Sequence, residues 1–278
     1  MTTTLRPSGP ERRQDGARTR AFDVLDNGRP VGGVTVSTDP DFPDQVGRID
    51  ELWVAPADRR RGRATVAMLA AEEVLRGWGC ARAQLRVPGE AEGADALAGT
   101  LGYQERNRGM AKTLTGETAP PPGGITVRAM TEPEFADWWA QDQAELFTKL
   151  RGVGFTEEQA RARAAAAGRD HLSRGLDTPG AVLRVLHDAE GTPLGTFWLS
   201  LGPDVPYDLD AWVFVVRVER AHRGRGYGRA LMLAAERECR DAGAERLGLN
   251  VYSANTPAVR LYDSLGFQPF LRVYVKPL

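Results

Sequence analysis

The chain repeats itself. Arg59-Arg-Arg-Gly62-Arg-Ala64 and Arg223-Gly-Arg-Gly226-Tyr-Gly228 lie 164 residues apart, and so do Leu101-Gly102-Tyr103 and Leu265-Gly266-Phe267, so one spacing spans the stretch between them without a gap. Asn27-Gly-Arg-Pro-Val-Gly32 and Glu190-Gly-Thr-Pro-Leu-Gly195 add a repeated hairpin turn at an offset of 163. Self-similarity at a fixed spacing marks a duplicated structural unit. The 278 residues suffice for two domains, each with its own core. Thr115-Gly-Glu-Thr-Ala-Pro-Pro-Pro-Gly-Gly124 reads as a stiff polar linker, so the expected division is 1–114, 115–124 and 125–278.

In each copy the glycine turn joins an apolar run to a helical pattern. Ala211-Trp-Val-Phe-Val-Val-Arg-Val218 is aromatic and β-branched and reads as a buried strand, while Leu231, Met232, Ala235 and Cys239 recur at helical spacing. At a helix start the first backbone N–H groups lack intrahelical partners and the dipole is positive, and glycine lets the backbone close around an anion. The junction is suited to a pyrophosphate. A dinucleotide fingerprint would need glycine where Arg229 stands and an acid closing the next strand, which reads Leu247-Gly-Leu-Asn-Val-Tyr252. A P-loop would need Gly-Lys-Ser/Thr, and the turn has neither lysine nor hydroxyl.

Arg223-x-x-Gly226-x-Gly228 instead resembles the acyl-CoA motif of the GNAT superfamily of N-acetyltransferases. Asn255-Thr-Pro-Ala-Val-Arg-Leu-Tyr262-Asp-Ser-Leu-Gly266-Phe267 resembles that family's second signature, with Asn255 opening a helix near the cofactor and Tyr262 facing the thioester sulfur. The resemblance covers residues 125 to 278 and implies an α/β (α+β) chain of two tandem GNAT-fold domains, each a mixed central sheet flanked by helices. The predicted order of the second copy is β, α, α, β, β, β, α, β, α, β. It opens on Ile125–Ala129 and a capped helix at Thr131-Glu-Pro-Glu134, continues with a helix from Thr156, and ends on Phe270–Val275.

The implied reaction is attack of a neutral amine on acetyl-CoA. By resemblance, the backbone N–H of Val216 polarises the thioester carbonyl and that of Val218 bonds the pantetheine. Arg223, Gly224, Arg225, Gly226, Tyr227, Gly228 and Arg229 hold the phosphates, Asn255 borders the cofactor, and Tyr262 protonates the departing thiolate. Asp208 and Asp210, at the entrance of the strand, are either a base acting directly or through water, or solvated turn acids. Trp138, Trp139, Phe147, Phe155 and Trp212 are candidates for an apolar acceptor wall, or plain core.

The first copy departs where chemistry would be done. Tyr262 maps to Ala98 and Asn255 to Ala91. Its opening segment, Arg20–Leu25 and Val31–Val36, reads as the first hairpin, with no room for the opening strand and two helices that form the acceptor wall in the family. It reads as a degenerate half that either keeps an acyl-CoA site at Arg59 to Ala64 or presents a basic solvated helix start there.

A net charge of −1 indicates neither a nucleic-acid surface nor a polybasic membrane patch. No apolar run approaches the ~20 residues of a membrane span, and the first residues lack a signal-peptide core, so a cytoplasmic protein is expected. Cys80 and Cys239 read as reduced core thiols, and His171, His187 and His222 lack ligand spacing, so no metal is assigned. The expected partner is a small-molecule amine, and the expected state is a monomer with an internal pseudo-dimer, or a homodimer. A protein amine, a non-catalytic acyl-CoA sensor and a partner-binding pseudo-dimer are the alternatives. Tandem members of the family include mycothiol synthases, whose first half also departs from pattern; no likeness to them is legible outside the shared motifs.

Overall fold

The computed structural model describes residues 2–14, 16–39, 42–91, 93–116, 124–152, 155–202 and 205–278, with backbone alone for 42–45 and 168–170. Most of the linker, 117–123, lies outside the described residues. The first copy runs β1 (Thr3–Pro7), β2 (Arg12–Gln14), β3 (Ala17–Asp26), β4 (Arg29–Asp39), β5 (Phe42–Val54), α1 (Arg63–Gly77), β6 (Arg82–Pro88), α2 (Ala94–Thr100) and β7 (Gln104–Thr113). The second runs β8 (Thr126–Ala129), α3 (Glu132–Gly152), α4 (Glu157–His171), β9 (Ala181–His187), β10 (Pro193–Ser200), β11 (Ala211–Val218), α5 (Tyr227–Asp241), β12 (Arg246–Tyr252), α6 (Thr256–Ser264) and β13 (Gln268–Pro277). That order is the predicted one for the second copy.

The first copy does hold an opening strand, contrary to the sequence expectation. Thr3–Pro7 pairs antiparallel with β3, from Thr3 opposite Asp26 to Pro7 opposite Phe22. The segment is short, polar and followed by Gly9 and Pro10, so no apolar alternation announced it. Among the described residues of the first copy nothing corresponds to α3 and α4, because β2 and β3 follow β1 directly.

By contact, the chain forms two compact units that are not continuous in sequence. The first comprises 1–110, 251–259 and 269–278, and the second comprises 111–250 and 260–268. In the first unit β1, β3, β4, β5, β6 and β13 lie side by side; β5 and β6 run parallel, and the other pairs are antiparallel. The second unit contains β8, β9, β10, β11 and β12 in that order, with β11 and β12 parallel.

The helix after each glycine turn buries the same stripe. Ala67, Met68, Ala71 and Leu75 of α1, and Leu231, Met232, Ala235 and Cys239 of α5, are all buried at spacings of one helix face. Cys239 sits so deep that burial pushes its thiol up to about 12. A second cluster lies under α3, where Trp138 meets Trp198 edge-on at 5.9 Å between ring centroids and Trp198 stacks on Phe214 at 4.4 Å. Trp139 belongs to this cluster, whereas Trp212 packs on Tyr207, 5.6 Å away.

Candidate active site

β11 splits from its neighbour. Ala211–Val213 pair with Leu247–Leu249 of β12; then the β10 register slips between Trp198 and Leu199, leaving Phe214 as a bulge. A bulge bends and twists its strand. Beyond it, Val215–Val218 continue along β10, and the β11–β12 ladder stops. Glu219 N–H donates to Leu194 O at 2.9 Å, which makes Arg217 opposite Thr196 the preceding hydrogen-bonded pair of the antiparallel ladder. By this alternation the N–H groups of Val216 and Val218 point to the other edge, toward the gap. In the first copy β5 leaves β6 after Ile49, and its own irregularity includes Glu51 at φ 49°, within one residue of the equivalent place.

The strand leads into the glycine turn. Arg223 Nε donates to Val218 O at 3.1 Å, and Arg59 Nε donates to Val54 O at 2.8 Å. The motif arginine thus ties the turn back to the strand that enters it, in both copies. Gly226 caps α5 at φ 86° and Gly62 caps α1 at φ 75°, a left-handed conformation that side chains with a Cβ resist. Gly224 is also left-handed, at φ 77°. Gly228 lets α5 approach α6: a Cβ there would lie 3.2 Å from Leu261 Cδ2. Arg229 bonds Ser264 on α6, and Tyr227 meets the His222 ring edge-on at 6.3 Å.

Beside this turn a cavity of about 600 Å³ is walled by Asp188 and Glu190 together with Arg225, Tyr227 and Arg229. The first copy places Arg63 where the second has Tyr227. Arg63 is buried at 3% exposure, paired to Asp26, and donates from Nη1 to Asp58 O at 3.1 Å. Asp58 is bridged in turn by Arg29 at 2.7 and 3.1 Å. The Arg59–Arg61 run therefore continues into a buried ion network that locks the first glycine turn to its hairpin.

Asn255 caps α6: its carbonyl accepts Val259 N–H at 3.0 Å, and its Oδ1 faces Ala258 N–H at 3.4 Å. Tyr262, one side of α6, is 9% exposed with its ring edge-on to Phe267 at 5.9 Å. Burial pushes its phenol up to about 12, so it stands as a neutral O–H donor at neutral pH. Ala98 occupies the equivalent place on α2 and offers no donor.

Of the two entrance acids, Asp208 adopts φ 56° and its carbonyl faces Arg246 Nη1 at 3.4 Å. Asp210 Oδ2 accepts the N–H groups of Glu245 at 2.9 Å and Arg246 at 2.8 Å, which gives this carboxylate the structural task of seating the start of β12. A pair that sequence reasoning passed over lies under α3. Arg217 Nη2 reaches Asp142 Oδ1 at 3.2 Å and Glu145 Oε2 at 3.1 Å. Trp138, Asp142 and Glu145 share one helix face, on which the aromatic residue is the stronger sequence signal.

The acetyltransferase (GNAT) family matches this chain in two stretches, residues 3–103 and 137–267. The mycothiol acetyltransferase of Thermomonospora curvata is 31% identical over 233 residues, which is 81% of this chain and 72% of that protein. That of Salinispora tropica is 32% identical over 226 residues, covering 78% of this chain and 68% of its own. Likeness to these proteins thus reaches well outside the shared motifs, where motif reading alone found none. A GCN5-related N-acetyltransferase from Sphaerobacter thermophilus has the same fold, with a TM-score of 0.56 at 20% identity over 92% of this chain and 80% of that one.

Proposed function

Because the chain belongs to the GNAT family of acetyltransferases, we propose that it moves an acetyl group from acetyl-CoA to a primary amine of a small molecule, and that the second copy does the chemistry. The observation that carries this reading is the split of β11 from β12 directly ahead of a left-handed glycine turn, with the buried phenol of Tyr262 on the helix that follows β12. The chemistry of these groups fits acetyl-CoA. Backbone N–H groups at the start of α5 and the guanidinium groups of Arg225 and Arg229 suit the pyrophosphate. The N–H of Val218 suits a pantetheine amide and that of Val216 the thioester carbonyl.

An N–H fixed toward a developing oxyanion contributes about 3 kcal/mol, and alignment of amine with thioester contributes several more. As the tetrahedral intermediate collapses, the C–S bond breaks and Tyr262 gives its proton to the thiolate. The relatives named mycothiol acetyltransferases favour a small-molecule acceptor over a protein amine. Tyr262 favours an enzyme over a sensor, and Ala98 in the first copy supports a supporting role for that half. A screen for CoA release over a library of small amines tests the proposal, with acetyl-CoA affinity measured calorimetrically on the same protein. Absence of acetyl-CoA binding would overturn it.

A further inference from the structure

The split strand β11 is covered by a different helix on each of its two faces. α5 covers one face of β10 and β11, with Leu231 against Gly195 and Gly228 near Val218, so the phosphate turn belongs to that side. α3 covers the other face, with Trp138 against Trp198. Arg217 projects to this second face, between the two residues whose N–H groups point into the gap. We propose that Asp142, Glu145 and Arg217 form the site that receives the acceptor's ammonium group, with Asp142 taking its proton. The inference rests on the reading of the second copy as an acetyl-CoA-dependent enzyme.

Charge comes first. Two carboxylates share one buried guanidinium, and Lys149 acts on Asp142 from an exposed position, so a closer cation would complete the charge of the partly buried Asp142. An ammonium does so. Lys149, next along the helix face, is exposed. A second observation is independent of the acids. Arg217 is nine-tenths buried, yet its Nη1 has no hydrogen-bond partner among the described residues, and neither has Oγ1 of Thr196, its direct cross-strand neighbour. Buried donors left unmade cost free energy. Together they suit a neutral hydroxyl or carbonyl oxygen close to the reacting nitrogen, so the acceptor class is a primary amine with such an oxygen nearby.

Burial is the largest influence on the Asp142 carboxyl, and with the neighbouring Glu145 it raises the group against the lowering effect of Arg217 and Lys149. A carboxylate held above its ordinary range is a better proton acceptor. The ammonium gives one proton to Asp142, and the freed lone pair forms the C–N bond at the thioester carbon. The C–S bond then breaks, and the thiolate takes the Tyr262 proton. The nitrogen's surplus proton restores Tyr262, and Asp142 releases its own to solvent. The products are the amide, CoA thiol and one proton.

The test uses the full chain and the amine returned by the CoA-release screen. Asp142→Asn is expected to keep acetyl-CoA affinity while kcat/KM for the amine falls on the order of 10²-fold, and to lose the acidic limb of its pH profile, with activity recovering at alkaline pH where the amine is already neutral. A folded variant with the wild-type profile overturns the assignment. If Asp142→Asn does not fold, Glu145→Gln carries the test: KM for the amine is expected to rise about tenfold with kcat retained, and an unchanged KM overturns it. Failure of the wild type to bind acetyl-CoA would instead remove the reading beneath.

Discussion

Lys112 Nζ lies 2.7 Å from Glu236 Oε1, although the lysine ends the first copy and the glutamate sits on the second copy's α5. Lys276 and Glu72, each 164 positions from a member of that pair, reciprocate at 2.8 and 2.9 Å. The backbone repeats the exchange. Leu114 N–H donates to Glu245 O at 2.7 Å and Leu278 N–H to Ala81 O at 3.0 Å; Ser253 N–H donates to Arg106 O at 3.0 Å and Gly89 N–H to Phe270 O at 2.8 Å. Each copy's last strand thus makes its bonds with the other copy. Neither copy is closed by its own chain.

The exchange should be visible in stability. Glu72 and Glu236 are both 1% exposed, so removing a lysine leaves a buried carboxylate with its more distant arginine, Arg76 at 3.6 Å or Arg240 at 4.0 Å, a loss of about 3 kcal/mol. Lys276→Met is expected to lower stability in urea by roughly that amount, and Lys276→Met with Glu72→Leu to recover most of it. A single variant within about 1 kcal/mol of wild type would show that Lys276 contributes little.

The repeat announced much of this structure and concealed a specific part. Equal spacing foretold that the two glycine turns would be equivalent, with Gly62 and Gly226 at matching helix starts; the bonds of Arg59 and Arg223 to the carbonyls of Val54 and Val218 were not foretold. It could not show the strand exchange, because Phe270–Val275 alternates in the same way whichever strand lies beside it. Arg63 lies in the stretch that reads either as an acyl-CoA site or as a basic solvated helix start, and neither reading holds its burial, since its partners Asp26 and Asp58 come from a hairpin end and a loop whose meeting no periodicity encodes. Asp142 and Glu145 were passed over for a related reason. A stripe that begins with Trp138 and turns acidic looks like a helix leaving its core, and it is Arg217 across from it that holds Asp142 partly inside.

Gly226 and Gly62 separate the roles of the copies. Gly226→Val places a β-branched residue at φ 86° and puts methyl groups at the phosphate turn, where no atom now lies within 4 Å of the added Cβ. Acetyl-CoA affinity is expected to fall at least about tenfold and turnover with it, whereas Gly62→Val should keep most turnover. Calorimetric titration and steady-state rates on folded proteins decide between the copies; loss of activity at Gly62 alone would reverse the assignment.

Glu134 links the start of α3 to acid stability. Hydrogen bonds from Arg128 at 2.7 and 2.8 Å, and from the N–H and hydroxyl of Thr131, hold its carboxyl at about 2. The folded value is below the unfolded one, so this contribution is present above the ordinary glutamate value of 4.5 and is lost as pH falls toward 2. Glu134→Gln should therefore lower stability at neutral pH and flatten its decline over that acid window, as read from urea midpoints across pH. An identical slope in the variant would assign the acid sensitivity elsewhere.

The sharpest test rests on one oxygen atom. Tyr262→Phe keeps the ring against Phe267 and removes only the donor. Because burial holds the phenol up to about 12, the O–H stays protonated across the working range, and its titration should not shape the neutral part of the rate profile. If Tyr262 protonates the thiolate, turnover falls on the order of 10²-fold while acetyl-CoA affinity and melting temperature stay near wild type. The CoA thiolate is already a fair leaving group, so a much smaller loss would mean that water supplies the proton. Rates at saturating acetyl-CoA, with melting followed in parallel, separate these outcomes, and unchanged turnover in a normally folded variant would remove Tyr262 from the chemistry while leaving the split strand and the glycine turn as the cofactor's seat.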